Sequence, residues 1–239
     1  MSGASDGIAC EVVRTMRRGV PLAIWHPAGL DAPRPLVLIG HGGAGHKTAS
    51  AVERVAHAVA RQAGFVAAAI DGPVHGERAP AGEGAEAVRD RFRMLWAAGG
   101  SVEPMVADWT DALDDLCAMP FVDAEAIGWY GLSMGTAYGL PAVGRTPRVR
   151  CAVLGLWGDC RPRADEILQQ AAAVRVPVLF QAKPDDEIIT IAGARAVFAA
   201  LGSADKRLTL HPGRHIEIGE AQLAEAVDFL RCQLQRVAA

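Results

Sequence analysis

The sequence predicts an α/β fold in which helices cover both faces of a mostly parallel sheet. Short apolar runs, typical of buried strands, alternate along the chain with longer segments whose apolar residues recur at helical spacing. This alternation is typical of parallel sheets that are covered on both sides. Glycine-rich and polar segments directly follow several of the predicted strands, at the carboxyl ends where parallel sheets bind their ligands.

The elements follow one another in a regular order. A β-hairpin is predicted over 10–26, and buried strands are predicted over 36–39, 65–70, 126–130, 151–156, 176–181 and 207–210. Helices are predicted over 49–61, 102–119, 136–143, 191–201 and 217–237. The chain has 239 residues, of which 51% are hydrophobic. We therefore expect a single domain over 1–239, built on one sizeable core.

The segment 79–100 interrupts this rhythm, since it is rich in alanine, glycine and charged residues. We interpret it as a short lid or a surface excursion, and we expect no large cap domain. Its larger apolar residues either line an acyl pocket or pack onto the edge of the sheet: Phe92, Met94, Leu95 and Trp96.

Composition argues against several classes of function. The formal net charge is −3 and the sequence pI is about 6.2, so no basic surface for nucleic acid is indicated. Neither a secretory signal nor a long uncharged apolar stretch is visible, which predicts a cytoplasmic protein without a membrane partner. The five cysteines contain no C-x-x-C pair, so we expect neither a zinc site nor disulfides, but mostly buried, reduced thiols.

The most informative motif is Gly131-Leu132-Ser133-Met134-Gly135. It follows the predicted strand 126–130 and opens a small-residue stretch that is typical of a helix start. Glycines two positions before and after the serine allow a sharp turn, which presents the Ser133 hydroxyl as a nucleophile. The motif predicts acyl transfer.

A serine nucleophile needs a base, and the base needs an acid that fixes its tautomer. We predict His215 as the base, because it lies on a loop between the last strand and the last helix. Three carboxylates follow the strand at 176–181. We favour Asp186 as the acid, Asp185 remains an alternative, and Glu187 is expected to be a solvated charge.

The tetrahedral intermediate needs two preorganised N–H donors. The first is expected from Met134, the residue after the nucleophile. The second is expected from the glycine-rich segment 41–45, where we favour Gly43 and then Gly42; a plain glycine-rich turn is the alternative interpretation. Trp157, at the end of a strand, is predicted near the pocket.

With these residues the chain resembles the α/β-hydrolase superfamily, in particular its small dienelactone-hydrolase-like esterases. The resemblance spans 36–234 and rests on the segments 41–43, 71–78 and 131–135, together with Asp186 and His215. It implies the α/β-hydrolase fold. It also implies that Asp71, His75 and Arg78 shape the rim of the pocket, with His75 against the substrate; a loop held by its own salt bridges is the alternative interpretation. Gly42 is also expected to contact the substrate.

Dienelactone hydrolases usually carry a cysteine where this chain has Ser133. We therefore expect a serine hydrolase for small carboxylic esters, thioesters or lactones, without a metal or other cofactor. Its partner is a small-molecule substrate, and a homodimer is left open. An acyltransferase or peptidase on the same triad and a binding protein without turnover are the alternatives. A metal-dependent hydrolase is a further alternative, although the spacing of its candidate ligands matches no zinc signature. These candidates are His41, His46, Asp71 and His75.

Overall fold

The computed structural model describes residues 7–235, in which eight strands form one sheet. The order across the sheet is β1-β2-β4-β3-β5-β6-β7-β8. Strands β1 and β2 pair antiparallel with their neighbours and the other pairs are parallel, which confirms the predicted fold class. The strands are β1 Ile8–Arg14, β2 Pro21–Pro27, β3 Arg34–Gly40, β4 Val66–Ile70, β5 Val122–Leu132, β6 Val149–Gly155, β7 Val178–Ala182 and β8 Lys206–Leu210.

Helices cover both faces of this sheet. They are α1 Ser50–Ala58, α2 Ala85–Ala98, α3 Val102–Cys117, α4 Met134–Arg145, α5 Ala164–Ala173, α6 Ile191–Ala200 and α7 Glu220–Gln235. Side chains of β3 alternate between two apolar clusters. Leu36 and Leu38 belong to the cluster that includes residues of the five helices from α2 through α6, whereas Val37 and Ile39 belong to the cluster that includes residues of α1 and α7. The period of two in the strand therefore separates two cores.

Two helices were not predicted. Helix α2 lies in the segment 79–100, where Val88, Phe92 and Trp96 are spaced by four residues and form its buried face. Helix α5 buries only Ile167 and Ala171, so its apolar pattern is weak. The last helix begins at Glu220, later than predicted, and the end of its predicted range lies outside the described residues, as do the ends of the expected domain.

The prediction of mostly buried thiols is wrong. All five cysteines are free, but only Cys151 is fully buried, Cys117 is half-buried, and the others are exposed: Cys10, Cys160 and Cys232. Within residues 7–235, no helix is long and apolar enough to cross a membrane.

Candidate active site

The turn between β5 and α4 presents Ser133 at the carboxyl edge of the sheet. Ser133 has φ 58° and ψ −121°, a conformation that L-residues rarely adopt. Its N–H donates to the carbonyl oxygen of Gly155 in β6, at 2.9 Å. Gly135 lies against the backbone of Gly40 at the end of β3, so closely that a Cβ atom there would clash with the Gly40 carbonyl. Packing and hydrogen bonding together hold the strained serine.

Thr136, which the sequence analysis did not single out, fixes this turn to β6. Its side chain is fully buried, and Oγ1 lies 2.7 Å from the carbonyl oxygen of Gly131 and 2.6 Å from that of Gly155. Oγ1 also accepts a hydrogen bond from the Gly155 N–H at 2.7 Å. In the sequence, Thr136 is only a small residue that follows the motif, so nothing there indicated this hydrogen-bonding role.

The structure brings the three predicted triad residues together. Nε2 of His215 lies 2.8 Å from Oγ of Ser133, and Nδ1 of His215 lies 2.8 Å from Oδ2 of Asp186. The other carboxylate oxygen, Oδ1 of Asp186, accepts the N–H groups of Ile188 and Ile189, each at 2.8 Å. The Asp186 side chain is 1% exposed, whereas the alternative acid, Asp185, is exposed.

The loop that carries His215 is held by two groups from the segment after β7. Buried Lys183 donates from Nζ to the carbonyl oxygens of Arg214, at 3.0 Å, and of Glu217. Burial lowers the pKa of Lys183. Glu187 accepts the N–H of His215 at 3.0 Å, and this bond lowers the pKa of Glu187, with a further contribution from Arg214. Glu187 is exposed, as expected of a solvated charge, and it also holds the loop of the base through this bond.

Two backbone N–H groups are available beside the serine. In the described part of the chain, neither Met134 nor Gly43 donates its N–H to a protein acceptor. Gly43 lies against Phe92 of α2, whose ring would be 3.1 Å from a Cβ atom at that position. These two residues are the ones predicted to form an oxyanion hole.

His75 differs from its prediction. It is fully buried and does not line the cavity, and Asp71 and Arg78 do not line it either. Arg78 donates to Asp108 at 2.6 Å, and buried Asp71 accepts from Lys47 Nζ at 3.0 Å. The resemblance implied a pocket rim here, but the ion pairs of Asp71 and Arg78 tie the loop after β4 to its neighbours. This is the alternative interpretation, a loop held by its own salt bridges.

A cavity of about 440 Å³ opens beside the triad. Ser133, His215, Gly42, Phe92 and Trp157 are among its lining residues, so Gly42 and Trp157 lie where they were predicted. The lining is mainly apolar, and its charged members are arginines: Arg54, Arg89, Arg93 and Arg161.

The other large residues of the segment 79–100 do not line this cavity. Trp96 is buried and packs edge-on against Trp157 and Tyr138, with ring centroids 5.5 Å apart in each pair. Its Nε1 donates to the carbonyl oxygen of Pro162 at 3.0 Å, while Met94 is exposed. Of the four residues, only Phe92 therefore belongs to the wall of the pocket.

The residues proposed for a metal centre have other partners. Nδ1 of His46 accepts from the N–H of Thr48 at 3.3 Å, and Asp71 is paired with Lys47. Across residues 7–235, no group of three or more His, Cys, Asp or Glu side chains is arranged to hold a metal ion.

A sheet of this order, with a serine elbow after β5 and a histidine loop after β8, defines an α/β-hydrolase fold. The structure resembles that of a cold-adapted esterase from an Arctic intertidal metagenomic library, with 33% identity over 98% of this chain and 97% of that chain, and a TM-score of 0.83. The chain belongs to the α/β-hydrolase superfamily.

More distant structures share the fold. A dienelactone hydrolase from Anabaena variabilis is 19% identical, with 95% of this chain and 96% of that chain covered and a TM-score of 0.66. An acetyl xylan esterase from Paenibacillus is 20% identical, with 98% of this chain and 87% of that chain covered and a TM-score of 0.74. No protein-family model matches the sequence, and a search of curated proteins finds no match.

Proposed function

We propose that this protein is a serine hydrolase that cleaves small carboxylic esters, thioesters or lactones through an acyl-enzyme on Ser133. The observation that carries the proposal is the pair of 2.8 Å contacts that link Ser133 to His215 and His215 to Asp186. The resemblance to the esterase at 33% identity supports ester hydrolysis as the reaction class.

In the acylation step, His215 Nε2 accepts the Ser133 proton while Oγ attacks the carbonyl carbon of the substrate. Asp186 accepts the Nδ1–H of His215 and stabilises the imidazolium that forms. Because the Ile188 and Ile189 N–H groups satisfy the second oxygen of Asp186, the carboxylate is held in the orientation that this bond requires.

The negative charge that develops on the carbonyl oxygen is stabilised by the N–H groups of Met134 and Gly43. His215 then donates its proton to the leaving alcohol or thiol. In the second half of the reaction, His215 removes a proton from water, which attacks the acyl-enzyme and releases the acid. Every step uses groups of this chain and one water molecule.

The cavity favours substrates of modest size. A volume of about 440 Å³ and an apolar wall suit a short acyl chain or a small lactone ring. Phe92 and Trp157, which both line the cavity, would contact the acyl or alcohol part.

The test is hydrolysis of p-nitrophenyl butyrate by the wild type and by Ser133→Ala, with fluorophosphonate labelling located by mass spectrometry. Ser50→Ala is a matched control, because Ser50 also lines the cavity but has no side-chain hydrogen bond to a histidine among the described residues. We expect Ser133→Ala to lower kcat by at least about 10⁴-fold and to abolish the label, and Ser50→Ala to keep both. A wild-type protein that is folded but neither turns over the ester nor takes the label would refute the proposal.

A further inference from the structure

Two buried histidines contact the glycine-rich loop that lines the cavity, and one of them, His41, also lines the cavity itself. His41 follows β3 directly and is 3% exposed, and His75, from the loop after β4, is fully buried. Their ring centroids are 4.8 Å apart, in an edge-to-face arrangement. Each ring contacts the carbonyl oxygen of a different glycine: Nδ1 of His41 lies 2.8 Å from the oxygen of Gly42, and Nε2 of His75 lies 3.2 Å from that of Gly43.

The hydrogen-bond partners define the tautomer of each ring. The N–H of Gly72 donates to Nε2 of His41 at 2.9 Å, so Nε2 is an acceptor and the proton of neutral His41 is on Nδ1. His75 must carry its proton on Nε2, since a carbonyl oxygen only accepts; its Nδ1 is buried without a partner. Burial lowers the pKa of His41 to about 3 and that of His75 to about 4, so both rings are neutral at physiological pH.

The geometry of the peptide unit converts these contacts into an orientation. In a trans peptide the C=O and N–H bonds point in opposite directions. The described part of the chain contains no cis peptide. When His41 holds the carbonyl of Gly42, the N–H of Gly43 on the same peptide therefore points away from His41. His75 holds the carbonyl of Gly43, which belongs to the next peptide. It therefore acts on the Gly43 N–H indirectly, by fixing the peptide on the other side of the Gly43 Cα.

One backbone hydrogen bond also restrains this loop: the N–H of Gly45 donates to the carbonyl oxygen of Gly42 at 2.9 Å. A Cβ atom at Gly42 would meet nothing within 4 Å, so side-chain packing does not fix the first glycine. Glycine also has more backbone freedom than any other residue. The direction of the Gly43 N–H is thus fixed by the His41 bond together with the Gly45–Gly42 bond, while His75 fixes the peptide that follows.

We propose that His41 and His75 are positioning residues that aim the Gly43 N–H at the substrate oxyanion by holding the carbonyl groups of Gly42 and Gly43. This inference rests on the proposed hydrolase function. It assigns to His75 a role in the orientation of the loop in place of the substrate contact implied by resemblance.

Reciprocal substitutions test the proposal, because an Asn amide nitrogen takes approximately the place of Nδ1 and a Gln amide nitrogen that of Nε2. His41→Asn keeps a donor for the Gly42 carbonyl but gives up the acceptor of the Gly72 N–H, whereas His41→Gln keeps that acceptor and removes the donor. At the second position the relation is reversed: His75→Gln keeps the donor for the Gly43 carbonyl and His75→Asn removes it. The four variants are polar and close in size, which limits differences in packing.

His26 provides the matched control. Its Nδ1 lies 2.8 Å from the carbonyl oxygen of Pro27, the next residue, just as Nδ1 of His41 contacts Gly42. It lies at the end of β2, whose antiparallel pairing places it at the opposite edge of the sheet from Ser133. We expect His26→Asn and His26→Gln to leave both kinetic constants as in the wild type.

The measurements are kcat and KM for p-nitrophenyl butyrate and the Ki of a trifluoromethyl ketone, whose hemiketal oxyanion occupies the oxyanion hole. Active-site concentrations are taken from the endpoint of fluorophosphonate labelling, so that unfolded protein is not counted. His41→Gln and His75→Asn should lower kcat by about 10- to 100-fold and weaken the ketone by a similar factor, with KM within about three-fold of the wild type. His41→Asn and His75→Gln should stay within about five-fold in kcat.

A purely structural role makes a different prediction. The preferred replacement would then follow side-chain length and be the same at both positions, and KM would change together with kcat. The same rank order at both positions, or an unchanged kcat and Ki in all four variants, would overturn the inference while the wild type remains an active hydrolase. An inactive, unlabelled wild type would overturn the proposed function and this inference with it.

Discussion

Acid should destabilise this protein through the same two histidines. Burial, together with the neighbouring His75 ring, lowers the pKa of His41 to about 3, and burial lowers the pKa of His75 to about 4. The unfolded chain binds these protons with the ordinary histidine pKa of about 6.5. Since the unfolded state binds them more tightly, the full stability is present above about pH 6.5 and decreases as the pH falls toward the folded-state pKa values.

The magnitude follows from the size of this difference. Between about pH 7 and pH 5 each histidine gains protons almost only in the unfolded state, at about 1.4 kcal/mol for each pH unit below 6.5. Each therefore removes about 2 kcal/mol from the free energy of unfolding at pH 5, and the pair removes about 4 kcal/mol. A loss of about 4 kcal/mol is a large part of the free energy of unfolding of a typical domain, which is roughly 5–15 kcal/mol.

The assay is urea unfolding of the wild type and of the double variant His41→Asn/His75→Gln at both pH values, followed by circular dichroism. The double variant keeps the two donors but removes both titrating rings, and all other titrating groups are shared. We expect the wild type to lose about 4 kcal/mol more than the double variant on acidification. If the two proteins lose the same stability to within about 1 kcal/mol, the rings are not buried as neutral groups and the reasoning fails.

Two further predictions concern the residues that hold the triad. Asp186→Asn should lower kcat about 10³- to 10⁴-fold, because the amide favours the wrong His215 tautomer, whereas Asp185→Asn, at an exposed position, should change kcat by no more than about two-fold. Steady-state kinetics of both variants check this, and a larger loss in Asp185→Asn would make Asp185 the acid. Thr136→Val should lower the free energy of unfolding by about 1–3 kcal/mol, because it leaves the buried Gly155 N–H without its hydroxyl partner, whereas Thr136→Ser should keep most of the wild-type stability. Denaturant unfolding measures the difference, and equal stability of the two variants would contradict this role.

Much of the fold could be predicted from the sequence because the central strands of its sheet are buried. β3 and β4 are short, continuous apolar runs between turn signals, which is typical of parallel strands. Helix α2 could not be predicted in the same way, because its apolar residues are few and lie among charged ones. It is held by tertiary contacts of Phe92 and Trp96, which local sequence patterns do not report.

The nucleophile and its partners were predictable for a different reason. Ser133 needs glycines at fixed positions to turn, and His215 and Asp186 must follow the strands that lie beside it, so chemistry and chain order both constrain them. Among the described residues, the side-chain hydrogen bonds of Thr136 and Lys183 go to backbone atoms, which carry no sequence signal of their own. Their roles depend on which loops meet in space, and nothing in the local sequence encodes that.

The site is held together by buried polar groups that bridge neighbouring loops. Lys183, after β7, donates to the loop that carries the base, and His41, after β3, accepts from Gly72, after β4. Loops made mainly of glycine and short turns have little apolar surface with which to fix one another, whereas a buried hydrogen bond is costly to leave unmade. Orientation in this site is therefore enforced by directional bonds to main-chain carbonyls and N–H groups. For this reason, variants that preserve side-chain size but move a donor should be more damaging than those that change size and keep it.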